Sequence, residues 1–156
     1  MKKKQSEKAK IFSLPLEYAD TYKLLNLITI NHPDVSISWY TRNMWYTRKI
    51  DNGILYESNL TGLQPELLNN INQESLKNNP VYKIMIICFD NGKLKQIAQK
   101  INGLSLNIAA KFSGQNYLEI TSSNATKNNA IAYIQSSKDL KKSELAAFGD
   151  GQNDIE

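Results

Sequence analysis

The residues best suited to chemistry lie in the segment Phe148-Gly149-Asp150-Gly151-Gln152-Asn153-Asp154-Ile155-Glu156. Leu145 to Phe148 is a short apolar run that reads as a strand, and it leads into an acidic turn bracketed by glycines. That order puts carboxylates at the carboxyl edge of a sheet, where open α/β proteins bind ligands. Asp150 and Asp154 are separated by one turn's worth of chain, with Asn153 between them. Such hard oxygen donors suit magnesium, which takes one or two carboxylates and fills its remaining positions with water and phosphate oxygens. A plain acidic, glycine-rich loop or a partial calcium loop is the alternative; the calcium loop needs further oxygen ligands and a glutamate at its twelfth position, which the chain does not reach. A cation stands upstream: Lys127, in Asn124-Ala125-Thr126-Lys127-Asn128-Asn129-Ala130. Asn124 or Thr126 would cap the helix that follows. Lys127 then sits in its first turn, where the helix dipole disfavours a positive charge, so a lysine there makes sense facing an anion or a carboxylate.

Other residues offer less. Cys88 lies inside the apolar run Tyr82 to Phe89 and reads as a small core hydrophobe. A lone cysteine permits no internal disulfide and suits a reducing compartment. His32, the single histidine, precedes Pro33 in a predicted loop, and without a second His or a Cys pair there is no zinc site to build. The near-repeat Trp39-Tyr40-Thr41-Arg42, Asn43-Met44, Trp45-Tyr46-Thr47-Arg48 predicts a hairpin with a two-residue turn. Arg42 would oppose Trp45 and Trp39 would oppose Arg48, each a cation–π pair worth ~0.5–1 kcal/mol when exposed. The pairs would either stabilise the hairpin or present an aromatic and cationic surface to a substrate.

The elements that must hold these residues follow from periodicity. Glu17 to Asn31 is a helix with Tyr18, Tyr22, Leu25 and Ile28 on one side, ended by His32-Pro33. Val35, Ile37 and Trp39 alternate with polar neighbours and give a half-buried strand. Residues 51–79 are polar, with one short helix expected after Pro65. Tyr82 to Phe89 is a strand covered on both faces, and Asn91-Gly92 is a turn. Leu94, Ile97, Ala98 and Ile101 mark an amphipathic helix closed by Asn102-Gly103. Leu104 to Phe112 and Tyr117 to Thr121 are strands, and Ala125 to Gln135 is a helix. The order describes an α+β layer of antiparallel strands with helices on one face. Its expected core includes Ile84, Ile86, Leu94, Ile97, Ile101, Leu106 and Ile108.

Composition bounds the class. Hydrophobic residues make up 41% and charged residues 22% of the 156, ordinary for a soluble globular domain. No apolar run reaches the ~18 residues of a membrane span, and Pro15 and Glu17 break the run after the basic start, so no signal peptide is expected and a cytoplasmic protein is. The net charge of +4 resides in residues 1–10, which hold five lysines and one glutamate, while the remainder is balanced. That makes the basicity a tail property, with no duplex footprint on the folded part and no nucleic-acid partner.

Leu118-Glu119-Ile120, Lys127 opening a helix, and Ala146-Ala147-Phe148-Gly149-Asp150-Gly151-Gln152-Asn153-Asp154-Ile155 together resemble the Cof-type hydrolases of the haloacid dehalogenase (HAD) superfamily, subclass IIB. There a lysine opens a helix, and Gly-Asp-x-x-Asn-Asp ends the next strand. The resemblance implies a magnesium-dependent phosphatase that works on small phosphorylated metabolites, sugar phosphates or related compounds, through an aspartyl-phosphate. It implies that Lys127 contacts the substrate phosphate and neutralises the phospho-intermediate, that Asp150 binds magnesium, that Asn153 lines the phosphate and metal site, and that Asp154 supports the metal. It further implies a tail at 1–10, an α/β cap domain at 11–122, and at 123–156 part of a Rossmann-like core holding the last two motifs.

The family's first motif, Asp-x-Asp, whose first carboxylate attacks phosphorus, occurs nowhere in the sequence. Ile86-Ile87-Cys88-Phe89-Asp90 is the nearest imitation, and Asp90 reads as a turn residue of the cap. The expectation is a truncated or split gene product of an AT-rich bacterial genome, inactive alone. Its partner would be a missing N-terminal half or a second copy. A stand-alone, non-catalytic cap or binding module is the competing expectation.

Overall fold

The computed structural model of the chain describes residues 12–146 and 148. Helix α1 (Tyr18–Asn31) is followed by strands β1 (Ser36–Tyr40) and β2 (Trp45–Thr47), helix α2 (Asn52–Thr61), the two-residue strand β3 (Glu66–Leu67) and helix α3 (Gln73–Asn78). Strand β4 (Lys83–Ile87), helix α4 (Asn91–Asn102), strands β5 (Ile108–Gly114) and β6 (Tyr117–Ser122), helix α5 (Lys127–Ser137) and a 3₁₀ turn (Lys142–Glu144) complete the order. The strands form one sheet in the order β3-β2-β1-β4-β6-β5. Every pairing is antiparallel except β2 with β3.

Alternation along the strands separates two faces. Ile37 and Trp39 of β1, Ile84 and Ile86 of β4, Leu118 and Ile120 of β6 and Ala110 of β5 share one face. Against them pack Leu24, Leu25 and Ile28 of α1 and Leu94, Ile97, Ala98 and Ile101 of α4, all buried. Leu106 and Ile108, expected in the core, are only partly buried at its margin. The α+β class holds, with an addition: α2 lies on the opposite face. Gly53 comes so close to it that a Cβ would stand 2.3 Å from Ser36 Oγ and 3.2 Å from Ile87 Cβ. Hence β1 is buried on both faces from Ser36 to Trp39 rather than on one.

The local chemistry of each end is visible. Asp51 caps α2 by accepting from Ile54 N at 3.2 Å, and Gly62 ends the helix in the left-handed region at φ 73°. Asp90 caps α4 through Lys93 N at 3.0 Å, so Asn91-Gly92 is the helix's first turn and not a separate turn. A capping box of Asn72 and Ser75 starts α3.

Four expectations are corrected. The polar stretch 51–79 holds two helices and a strand, and the segment after Pro65 is β3, not a helix. Residues 104–107 precede the strand that begins at Ile108. The hairpin has a four-residue loop, Thr41 to Met44, with Thr41 N bonded to Met44 O at 3.0 Å. Neither Asn43 nor Met44 takes the positive φ that a type I′ turn demands. The register is therefore two residues from the expected one: Trp39 opposes Tyr46 and Tyr40 opposes Trp45. These are stacked aromatic pairs with centroids 6.0 and 5.8 Å apart, and they replace the Trp/Arg pairs. Arg48 instead donates to Asn26 Oδ1 on α1 at 2.7 Å. Lastly, Leu145, Ala146 and Phe148 are not in a strand. A strand needs a neighbour's backbone to bond, and among the described residues no other strand lies beside them.

Candidate functional site

Of the residues with expected roles, Lys127 lies within the described structure; Asp150, Asn153 and Asp154 lie outside the described residues. Lys127 opens α5, directly after the N-cap Thr126, whose hydroxyl accepts from Asn129 N at 3.1 Å. The helix start is thus fixed by the threonine. The lysine is placed where the first backbone N–H groups and an ammonium converge.

The surroundings of Lys127 come from the second face of the sheet, the one opposite α1 and α4. A cavity of about 180 Å³ is bounded by Lys127 and Thr126, by the Ser122-Ser123 connection, and by Lys111, Glu119 and Thr121 of β5 and β6. Lys111 and Glu119 are directly opposed in register. Glu119 Oε1 receives a hydrogen bond from Lys83 Nζ at 2.9 Å, and Lys83 Nζ stands 4.7 Å from the centroid of the Tyr40 ring. Tyr40 in turn stacks on Trp45. A row therefore crosses the sheet in the order Trp45, Tyr40, Lys83, Glu119, Lys111, from apolar aromatic to alternating charge. Burial, with the carboxylates of Glu57 and Glu119 nearby, pushes the Tyr40 phenol well above its ordinary value, so it stays neutral. The other half of this face is roofed by α2, where Tyr117 donates to Glu57 Oε2 at 2.9 Å and Tyr56 meets Phe89 edge to face.

Helix α5 itself is lightly held. None of its residues is buried. Phe12 stacks on Tyr133 at 4.3 Å with the rings 12° apart, joining the segment that enters the layer to the helix that leaves it. Leu16 N bonds Val81 O at 2.8 Å and anchors that entering segment to the sheet layer. Ile131 and Ile134 of α5 are exposed, and with Leu145 and Ala146 they line an open hollow on its far side.

Sequence reasoning found Lys127 and its cap but not Lys83, Lys111 and Glu119, which belong together only through strand register. Alternation of polar residues on β5 and β6 was the signal that could have raised Lys111 and Glu119. Among the described residues no cluster of three His, Cys, Asp or Glu side chains could hold a metal. The carboxylates expected to bind magnesium are outside that set, so nothing in the described geometry fits or positions the ion. No helix among the described residues is long and apolar enough to cross a membrane.

A helix-backed sheet with an uncovered charged half, joined through a short connection to a lysine-headed helix, defines an α+β unit. The chain belongs to the haloacid dehalogenase-like hydrolase family, whose model matches residues 4–156. It is 25% identical over 154 residues to a Haemophilus influenzae protein named "Putative phosphatase", covering 94% of this chain and 53% of that protein. A haloacid dehalogenase-like hydrolase from Bacteroides thetaiotaomicron has the same fold, with a TM-score of 0.76 at 23% identity over 93% of this chain and 53% of that one. A HAD subclass IIB sugar phosphatase superposes with a TM-score of 0.64 at 14% identity, over 92% of this chain and 52% of that one. The chain spans about half the length of the relatives it matches.

Proposed function

We propose that this chain supplies the cap and part of the catalytic core of a phosphatase acting on small phosphorylated metabolites, sugar phosphates or related compounds. The observation that carries the reading is Lys127, set by Thr126 at the head of α5 and facing a polar cavity beneath the sheet's charged row. An ammonium at a helix N-terminus suits a phosphate dianion. The names of the Haemophilus protein and of the subclass IIB sugar phosphatase support the choice of reaction and substrate class.

On this reading residues 11–122 are the cap, 123–156 belong to the core, and 1–10 are a tail. Lys127 binds a non-bridging phosphate oxygen and offsets the charge that collects there when a carboxylate from the rest of the core attacks. Asn153 lines the same site. Magnesium, held by Asp150 and Asp154, would supply further positive charge at the phosphate. The buried Cys88 suits a reducing, cytoplasmic setting. The unburied apolar side of α5, with Ile131 and Ile134, suits docking against the rest of the core, on the same or a separate polypeptide.

The test is a titration with inorganic phosphate, followed through the backbone amide resonances of residues 126–129. Saturable shifts in the wild type that vanish in Lys127→Gln are expected. Unchanged resonances in the wild type, or shifts that survive the substitution, would remove Lys127 from the role.

A further inference from the structure

We propose that the hollow beside the hairpin loop is a second ligand site, separate from the cavity at Lys127, and that it takes a carboxylate carried on an aromatic ring. The inference goes beyond the phosphatase reading and does not depend on it. The hollow measures about 480 Å³ and is lined by Phe12 to Leu14 of the segment that enters the layer, by Arg42 of the loop, by Tyr82 and by Ala125. That size falls within the roughly 300–1,000 Å³ usual for small-molecule sites. Among the described residues Ala125 alone borders both this hollow and the cavity at Lys127, and Lys127 does not line the hollow.

Backbone bonds fix its walls. Leu16 N bonds Val81 O at 2.8 Å, Tyr82 N bonds Tyr40 O at 2.8 Å, and Thr41 N bonds Met44 O at 3.0 Å. The entering segment, the approach to β4 and the loop are thereby held side by side before a ligand arrives. Arg42 and Arg48 end the two halves of the near-repeat in the sequence, and the fold uses them differently. Arg48 donates to Asn26 Oδ1 at 2.7 Å. Arg42 is exposed, and among the described residues none offers its guanidinium a hydrogen bond or an ion pair. The Ser13 hydroxyl and the Tyr82 phenol, lining the same hollow, likewise find no hydrogen-bond partner among the described residues. A single guanidinium suits a monoanion, and its planar fork of donors matches a carboxylate taken bidentately, with the two hydroxyls available to its remaining lone pairs. The ring follows from the apolar part of the lining, which is Leu14, Phe12 and Tyr82. Phe12 is 43% exposed although its ring is stacked on Tyr133. A flat aromatic body covers that surface and adds ring contacts of the kind Phe12 already makes.

The experiment follows the backbone amides of residues 12–14, 41–43 and 82 in the 156-residue chain as three probes are added: 3-phenylpropionate, its amide 3-phenylpropanamide, and acetate. Saturable shifts are expected, with the aromatic acid bound roughly tenfold or more tightly than its amide, the scale of one charge-assisted hydrogen bond, and more tightly than acetate. Arg42→Gln should bring the acid and the amide to within about twofold of each other. Lys95→Gln, the same change in net charge at an exposed position of α4, should leave the preference as it is. Phe12→Ala should weaken the acid and the amide together and keep their ratio. Equal binding of acid and amide by the wild type, a preference that survives Arg42→Gln, acetate bound as tightly as the aromatic acid, or no saturable shift with any probe each overturns the proposal. The amides of residues 126–129, which report phosphate at Lys127, keep the two readings apart, since either set can respond without the other.

Discussion

Gly53 is where α2 meets the sheet, and one methyl group is enough to test it. A Cβ there would overlap Ser36 Oγ, which itself hydrogen-bonds the Asp51 carboxylate that caps the helix. Gly53→Ala should therefore cost about 1–3 kcal/mol, the range for overpacking, read as a lower midpoint in urea unfolding. On the other face Ile97 is 1% exposed between α4 and the strands. Ile97→Ala should cost ~2–5 kcal/mol; a loss under 1 kcal/mol would show that the α4 interface is not the core. A third residue-scale effect is alkaline. Burial and the Glu57 carboxylate raise the Tyr117 phenol, and burial raises Tyr40. A phenol whose folded value is raised contributes stability that is fully present below its ordinary value near pH ~10. That contribution is lost as pH climbs through the folded value. Melting temperature should fall above about pH 10, together with the rise of tyrosinate absorbance, and Tyr117→Phe should soften the fall. The cap Thr126 was legible, with Asn124 as its alternative, because a cap is a local event, whereas Asp90 read as a turn residue and in fact caps α4. The Lys83–Glu119 bridge was not legible, because its partners are 36 positions apart and only pairing brings them near.

At the scale of elements, long periodic segments were legible and short polar ones were not. Helix α4 buries the whole apolar stripe that its sequence shows, whereas α1 buries Leu25 and Ile28 of its expected stripe together with Thr21 and Leu24, and leaves Tyr18 exposed. Helix α2 hides because little of it is buried, Gly53, Ile54 and Ser58 alone, and its exposed Leu55 and Leu60 blur any period. Its boundaries, Asp51 and Gly62, were nonetheless written in cap residues. The hairpin was legible as a hairpin and misread in register, because the loop holds four residues and cross-strand aromatic stacking then fixes the pairing. The apolar run at Leu145 has the composition of a strand without a partner to make it one. The outer edge of β5 carries a device no pattern announces. Asn102, at the end of α4, donates from Nδ2 to Ala110 O and accepts from Ala110 N, both at 2.9 Å. It satisfies backbone groups that would otherwise be open to another chain, the hazard of an edge strand. Asn102→Ala should cost about 1–3 kcal/mol for the groups left unpaired. It should also raise the concentration-dependent light scattering of the folded protein, and unchanged scattering with unchanged stability would deny Asn102 this role.

For the whole molecule the decisive question is the nucleophile. Phosphate monoesters hydrolyse so slowly unaided that enzymes accelerate them by up to ~10²¹-fold, and a two-step route through a covalent intermediate requires an attacking carboxylate. No aspartate in the sequence has another two positions beyond it. The described aspartates are otherwise placed: Asp51 and Asp90 cap helices, Asp34 pairs with Lys93, Asp20 lies in the first turn of α1, and Asp139 takes a positive φ of 52° after α5. None of them lines the cavity at Lys127. The 156 residues alone should therefore give no turnover of a chromogenic phosphate ester in millimolar magnesium. Adding a separately expressed segment with Asp-x-Asp, built to complete the core beside α5, should produce turnover that Lys127→Gln and Asp150→Ala each abolish. Ile131→Asp, on the unburied side of α5, should weaken that complementation by raising the concentration of segment needed, because it places a charge where the two pieces must pack. Robust turnover by the chain alone, lost in Asp150→Ala, would instead mean that two copies assemble a complete site between them. Dilution of the chain without any added segment tests that second outcome, since activity per chain then falls on dilution only if two copies must meet.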